Sequence, residues 1–168
     1  MQISSFCGIL FLIEGVKEID IIMDRKLYNL APEDQLSFAL YAASKELVKL
    51  YRPRLDELNL TYTQYLTMRV LWEHKRLNVK ELGEQLYLDS GTLTPVLKSL
   101  EAKGYVRRTR SSRDERVLLV GLTKEGEALK ETAAEVPEYV GAELKLRREE
   151  VVALRDRLDK MLDCMKET

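Results

Sequence analysis

Between Asn78 and Thr123 the period of the apolar positions changes twice. Val79, Leu82, Leu86 and Tyr87 recur at helical spacing and predict a short helix with one apolar face. Asn78 stands where its cap belongs, and Glu81, three residues on, completes a capping-box spacing. Leu88-Asp89-Ser90-Gly91 then interrupts the pattern. Asp89 or Ser90 can cap a second helix, and Gly91 permits a tight turn before it. That helix turns Leu93, Val96, Leu97 and Leu100 inward and shows Ser90, Thr92, Thr94 and Lys98 on its other face. Gly104 fits the position just past its end. Two strand-like runs follow, Tyr105–Arg110 and Arg116–Leu122, with the polar Ser111-Ser112-Arg113-Asp114-Glu115 as a hairpin tip. Two short helices about a turn with a glycine match the helix-turn-helix pattern, and the hairpin adds a wing.

The flanks read as helices. Pro32 suits a first helical turn, with Glu33 and Asp34 near the positive end of the dipole. Leu36, Leu40, Ala43, Leu47 and Leu50 form an apolar stripe, and Pro53 predicts a kink or break at Arg52. A helix from Thr61 or Thr63 to His74 turns Tyr65, Leu66, Val70 and Leu71 inward, with Trp72 in the core or an interface. Thr123 caps a long helix from Lys124 to about Gly141, which Pro137 bends or ends. A last helix, Arg148 to Met165, gathers Val151, Val152, Leu154, Leu158, Met161, Leu162 and Met165 near one face. A stripe this wide opposite a charged face is of the kind that packs on a partner chain.

Residues 1–30 form an extension of open role. The apolar run from Phe6 to Ile13 is too short to span a bilayer. No basic segment precedes it and Glu14 follows, so a signal peptide is not expected. Three readings stay open: a start assigned too early with Met23 as the real one, an extra element packing on the body, or an exposed interaction segment.

The chain has 168 residues, enough for one domain or compact subunit, and 45% are hydrophobic and 33% charged, as in soluble helical proteins. A sequence pI near 6.0 argues against a general nucleic-acid coat. It still allows a local basic face. From Lys98 to Arg116 seven basic residues stand against three acidic ones, on a chain of net charge −1. Such an excess suits phosphate binding. Alone it would read as a solvated hairpin; the adjoining helix-turn-helix reverses that preference. Cys7 and Cys164 are far apart and in no metal-ligand spacing, which fits a reducing cytoplasm without disulfides. The single histidine, His74, is the only candidate base for a catalytic triad, and its helix is explained by packing. The eight glycines form no phosphate-cradling loop. No enzyme, metal or cofactor is expected.

The run LDSGTLTPVLKSLEAKGYVRRTRSSRDER resembles the MarR family of bacterial repressors, and within it the organic-hydroperoxide-resistance branch. Its DSGTLTP turn and DER wing tip are the most telling parts, and the likeness runs from about Asp34 to about Val136. The resemblance implies a mainly α fold with a small β-hairpin wing, a winged helix-turn-helix in a dimeric MarR-like architecture. Residues 31–60 and 124–168 would form the helical dimerisation region, and 61–123 the DNA-binding region. The partners implied are a second copy of the chain and a pseudo-palindromic double-stranded operator, with no membrane. In such a dimer each second helix enters a major groove. Asp89, Ser90, Thr92, Thr94 and Pro95 fall at its base-proximal end, while Lys98 and Arg107 meet phosphate and Arg110 adds to the basic wing. Arg116, oriented by an ion pair with Asp114, would reach a narrow minor groove. The alternative is that Asp114 and Arg116 only stabilise the hairpin.

The sensor position departs from the branch. Its members carry a peroxide-reactive cysteine in a run resembling Leu-Cys-Phe-x-Leu-Tyr-Ala; here it reads Leu36-Ser37-Phe38-Ala39-Leu40-Tyr41-Ala42. The tyrosines that contact that cysteine match Tyr41 and Tyr51. A serine hydroxyl forms neither a thiolate nor a sulfenic acid. Two explanations stay open: an engineered Cys→Ser variant locked in the DNA-binding state, which the retained tyrosines favour, or a natural member that senses something else or nothing. Cys7 reads as a packed thiol, and Cys164 lies among mixed charges with no cause for activation. Two rival functions remain. One is a repressor released by a small ligand in a cleft lined by Tyr41, Tyr51, Tyr62 and Tyr65. The other is a winged-helix protein-interaction module, whose expected mark, a neutral or acidic wing, is not seen.

Overall fold

The computed structural model describes residues 31–166; the readings placed on residues 1–30, Cys7 included, lie outside them. Pro32–Asp34 form a single 3-10 turn rather than the start of the first helix. Gln35 is extended and resets the chain, and α1 (Leu36–Glu57) begins after it. Pro53 lies inside α1, which runs on through it instead of breaking. A proline removes only its own N–H from the ladder, and the buried Leu55 and Leu58 beyond it hold the chain in register.

Next comes α2 (Tyr62–His74), which opens with a capping box. Thr61 Oγ1 accepts the Gln64 N–H at 3.3 Å, and Gln64 Oε1 accepts the Thr61 N–H at 3.0 Å. The short strand β1 (Arg76–Asn78), which the sequence reading did not foresee, leads directly into α3 (Val79–Leu86). The chain continues through α4 (Ser90–Ala102), β2 (Val106–Arg110), β3 (Leu118–Leu122), α5 (Lys124–Ala133), α6 (Val136–Glu143) and α7 (Arg148–Lys166). The single helix expected from Lys124 to Gly141 is therefore two. Pro137, in the first turn of α6, has no N–H to offer the Ala133 carbonyl, so α5 ends there.

The three strands form an antiparallel sheet in the order β1-β3-β2. One row across it is Leu77, Val120 and Arg108; the next is Arg76, Gly121 and Arg107. Adjacent rows point to opposite faces. Val120 and Val106 are buried, so their face is the inner one.

The chain divides into two compact units, one of them Glu46–Leu144, which reaches beyond 61–123 at both ends. Every buried hydrophobic residue found among the described residues lies in this unit, from Leu55 to Val140. Met68, Leu71, Leu82, Leu93, Leu100 and Val120 are fully buried, each worth about 1.5–3 kcal/mol of transfer free energy. The described part of the other unit is residues 31–45, which hold the 3-10 turn and the start of α1, together with 145–166. There Leu36, Phe38, Tyr41, Leu146, Val151, Val152, Leu154 and Met165 are exposed, while Leu158, Met161 and Leu162 are half-buried. No helix among the described residues is long and apolar enough to cross a membrane.

Candidate nucleic-acid interface

The site begins at the cap of α3. Asn78 Oδ1 accepts the Glu81 N–H at 2.8 Å and the Glu81 carboxylate accepts the Asn78 N–H at 3.2 Å, the reciprocal pair that the spacing predicts. Tyr87 ends α3 in the left-handed region (φ 54°), so its side chain leaves the apolar face assigned to it and is exposed. The Leu88 N–H then returns to the Gly83 carbonyl at 2.9 Å. A Cβ on Gly83 would stand 2.7 Å from the Leu88 carbonyl oxygen, so the turn between the helices closes on bare backbone.

Asp89 caps α4. Its Oδ1 accepts the Thr92 N–H at 2.8 Å and its Oδ2 accepts the Thr92 hydroxyl at 3.0 Å. These two donors, the backbone one first, hold the Asp89 carboxyl below its ordinary pKa. Asp89 is thus committed to the cap. The Thr94 hydroxyl donates back to the Ser90 carbonyl at 2.6 Å. Both threonine protons are used within the helix, which leaves their acceptor lone pairs and methyl groups for a partner. Ser90, Thr92, Thr94, Pro95 and Lys98 are all exposed on α4, opposite the buried Leu93, Leu97 and Leu100; Val96 is half-buried.

Gly104 ends the helix with φ +80°. Its N–H reaches the Glu101 carbonyl at 2.9 Å and the Tyr105 N–H reaches the Leu100 carbonyl at 3.0 Å, a Schellman pair. The base of the wing is locked to α5 at the same place. The Thr123 hydroxyl donates to the Gly104 carbonyl at 2.6 Å, and its oxygen caps α5 by accepting the Gly126 N–H at 3.0 Å. Trp72 Nε1 donates to the Gly126 carbonyl at 2.8 Å.

The seven cations counted in the sequence have different fates. Arg108 is on the inner row and is held by Glu101 of α4: its N–H at 2.9 Å, Nε at 2.8 Å and Nη2 at 2.5 Å all meet that carboxylate. The Arg108 side chain and then its backbone hold Glu101 below the ordinary carboxylate range. Lys103 Nζ donates to the Asn59 carbonyl and, at 2.9 Å, to Gln64 Oε1. Arg110 Nη1 donates to the Glu115 carbonyl at 2.6 Å and clasps the wing tip. Lys98, Arg107, Arg113 and Arg116 are exposed and show no ion pair among the described residues. The expected Asp114–Arg116 ion pair is not the contact found. Asp114 Oδ1 accepts the Arg116 backbone N–H at 3.0 Å instead, which shapes the turn and leaves the guanidinium outside it. Arg107 lies on the outer row, facing away from the row that α4 holds. Arg76 of β1 is in its row and was missed, because a three-residue strand ending at a helix cap gives too little alternation to detect.

The sensor positions share helix α1. Ser37 is exposed in its first turn, one turn before the exposed Tyr41, whose ring centroid is 5.7 Å from Lys45 Nζ and 6.5 Å from the Phe38 ring. Tyr51 belongs to the Glu46–Leu144 unit and packs on Tyr62 and Tyr65, with ring centroids 4.9 and 6.0 Å away. Burial pushes the phenols of Tyr62 and Tyr65 above the ordinary range.

Residues 49–133 match the family model "Transcriptional regulator SarA/Rot". The organic hydroperoxide resistance transcriptional regulator of Bacillus subtilis (strain 168) is 47% identical over 143 residues, covering 85% of this chain and 97% of the relative. The chain belongs to the MarR family of winged-helix transcriptional regulators. Among solved MarR-type structures, reduced AbfR bound to DNA is 33% identical with a TM-score of 0.66, over 79% of this chain and 93% of that one. NadR in complex with 4-hydroxyphenylacetate is 34% identical with a TM-score of 0.62, over 76% and 92%. These relatives are transcriptional regulators, which places the chain with regulators and not with enzymes.

Proposed function

We propose that this chain is a cytoplasmic, homodimeric repressor of the organic-hydroperoxide type that binds a pseudo-palindromic operator. The observation that carries it is the pairing of an exposed polar face on the capped helix α4 with a wing whose tip arginine is unengaged. Ser90, Thr92, Thr94 and Pro95 meet base edges in the major groove, and Arg116 enters the minor groove. Lys98 meets phosphate. Asp89 and Arg110 act indirectly, as the helix cap and the clasp of the wing tip. Residues 61–123 bind DNA, and the exposed apolar side chains of α1 and α7 are covered by a second copy.

Ser37 stands where the branch has its thiol, with Tyr41 and Tyr51 retained. Its hydroxyl cannot be oxidised stepwise as a thiolate is, so peroxide release does not run through this position. Fluorescence anisotropy on DNA from upstream of the gene tests this, with and without an organic hydroperoxide. The chain and its Ser37→Cys variant should both bind, and only the variant should be released. Release of the unaltered chain would sink the reading of Ser37, and absence of binding would sink the operator reading.

A second reading, release by a phenolic acid, draws on the Tyr51, Tyr62 and Tyr65 cluster and on the ligand named for the NadR relative. Tyr65 is only 1% exposed, which favours packing over ligand contact. Thermal melting with 4-hydroxyphenylacetate decides it, and no shift removes this reading.

A further inference from the structure

The outer face of the wing sheet, which carries Arg107, faces away from the row that α4 holds. The strand register sets Arg76, Gly121 and Arg107 in one row, with the glycine in the middle strand. Gly121 has no side chain, so the row is a dent between two arginines. The Arg76 stem lies over it: a Cβ on Gly121 would be 3.6 Å from Arg76 Cγ. The side chain continues across β3, and Nη2 donates to Thr109 Oγ1 of β2 at 3.1 Å. Lys75, Arg76, Arg107, Thr109, Gly121 and Leu122 together line an open cavity of about 270 Å³.

The charge on this face is not balanced from within. Lys75 pairs with Glu127. Among the described residues neither Arg76 nor Arg107 has a carboxylate partner. Like charges held on one sheet face repel each other, and an anion between them would reverse the sign of that interaction. Two guanidinium forks and a hydroxyl, grouped beside the Arg76 stem that lies over Gly121, form a donor set for an oxyanion. The cavity is several times the ~30 Å³ share of one water, so it has room for a substituted phosphate.

We propose that this face binds a small phosphate-bearing molecule, held by Arg76 and Arg107 in the open cavity that they line. The occupant proposed is a free ligand and not the operator phosphate expected at Arg107, because this face is turned away from α4. The recognition helix holds Arg108, whose row with Val120 and Leu77 is on the opposite face. This site stands independently of the operator and of Ser37.

The probe is pyrophosphate, titrated calorimetrically into the full chain at constant ionic strength. Saturable binding is expected, weakened about tenfold or more by Arg76→Gln or Arg107→Gln, since each removes charge-assisted bonds. Lys98→Gln should leave it unchanged. Gly121→Ala guards against misfolding as the cause of loss. Its Cβ would meet only ordinary contacts, so the melting temperature should hold while the methyl added to the cavity lining weakens binding. Repeating the titration with a saturating DNA duplex separates the two sources of phosphate. An unchanged affinity supports a free ligand, and complete loss assigns the arginines to the DNA backbone and overturns the proposal. A non-saturating response, binding by both arginine variants as tight as that of the unaltered chain, or equally tight binding of citrate would also overturn it.

Discussion

The two compact units of this chain solve the problem of burial in opposite ways. In Glu46–Leu144 the core closes on itself and the polar ends of its elements are answered locally: Thr61, Asn78, Asp89 and Thr123 cap four helices, and Gly104 closes one. In the other unit the described residues include no buried side chain, and eight large apolar ones stay exposed. Large exposed apolar patches are a mark of interaction sites, and these eight residues are the candidates for one. The difference teaches that one part of a chain can be specified by its own contacts, whereas the other leaves its apolar side chains uncovered by the chain's own described residues.

The largest test of that contrast is Leu93→Ala. Leu93 is fully buried beneath α4, and its truncation should cost about 2–5 kcal/mol in denaturant unfolding. A loss below about 1 kcal/mol would mean that this unit is not closed on itself. Next is Leu154→Asp on α7, where the side chain is 52% exposed. It should raise the dimer dissociation constant by about tenfold or more, roughly 1.4 kcal/mol, in sedimentation equilibrium. The core of Glu46–Leu144 should keep its fold. If the oligomeric state does not move, these apolar side chains are not the partner surface. Arg116→Ala should weaken operator binding by more than about tenfold with the dimer intact, and unchanged affinity at physiological salt would remove the wing tip from recognition.

The smallest effect concerns acid. The Glu101 carboxyl is held below its ordinary pKa, first by the Arg108 side chain and then by its backbone N–H. The charged form is therefore favoured in the folded state. Its stabilisation is present above the ordinary value of about 4.3 and is lost as pH falls through the lower folded value. Glu101→Gln should flatten part of the fall in melting temperature below about pH 4. An unchanged acid limb would show that the pair adds nothing to folding.

The capped helices were legible in the sequence because a cap is a local event. Asn78 with Glu81, Asp89, Gly104 and Thr123 each carry their signal within four residues. What was not legible depends on distant partners. Strand β1 exists because β3 lies beside it. The helix through Pro53 persists because Leu55 and Leu58 are buried. The candidate interface divides in the same way. The exposed face of α4 follows from periodicity alone. The charge count of the wing could not show that Arg108 and Lys103 are tied inside the fold, that Asp114 bonds to backbone rather than to the Arg116 guanidinium, or that Arg107 faces outward beside Arg76.

The bond from Trp72 to Gly126 has an optical consequence. Trp72 is the chain's single tryptophan, it is buried with its ring centroid 6.4 Å from that of Tyr65, and its indole is tethered to the first turn of α5. Tryptophan emission, excited selectively beyond the tyrosine absorption, thus comes from one reporter at the joint between α2 and α5, beside the root of the wing. A red shift would record water reaching that joint, without any dye or label.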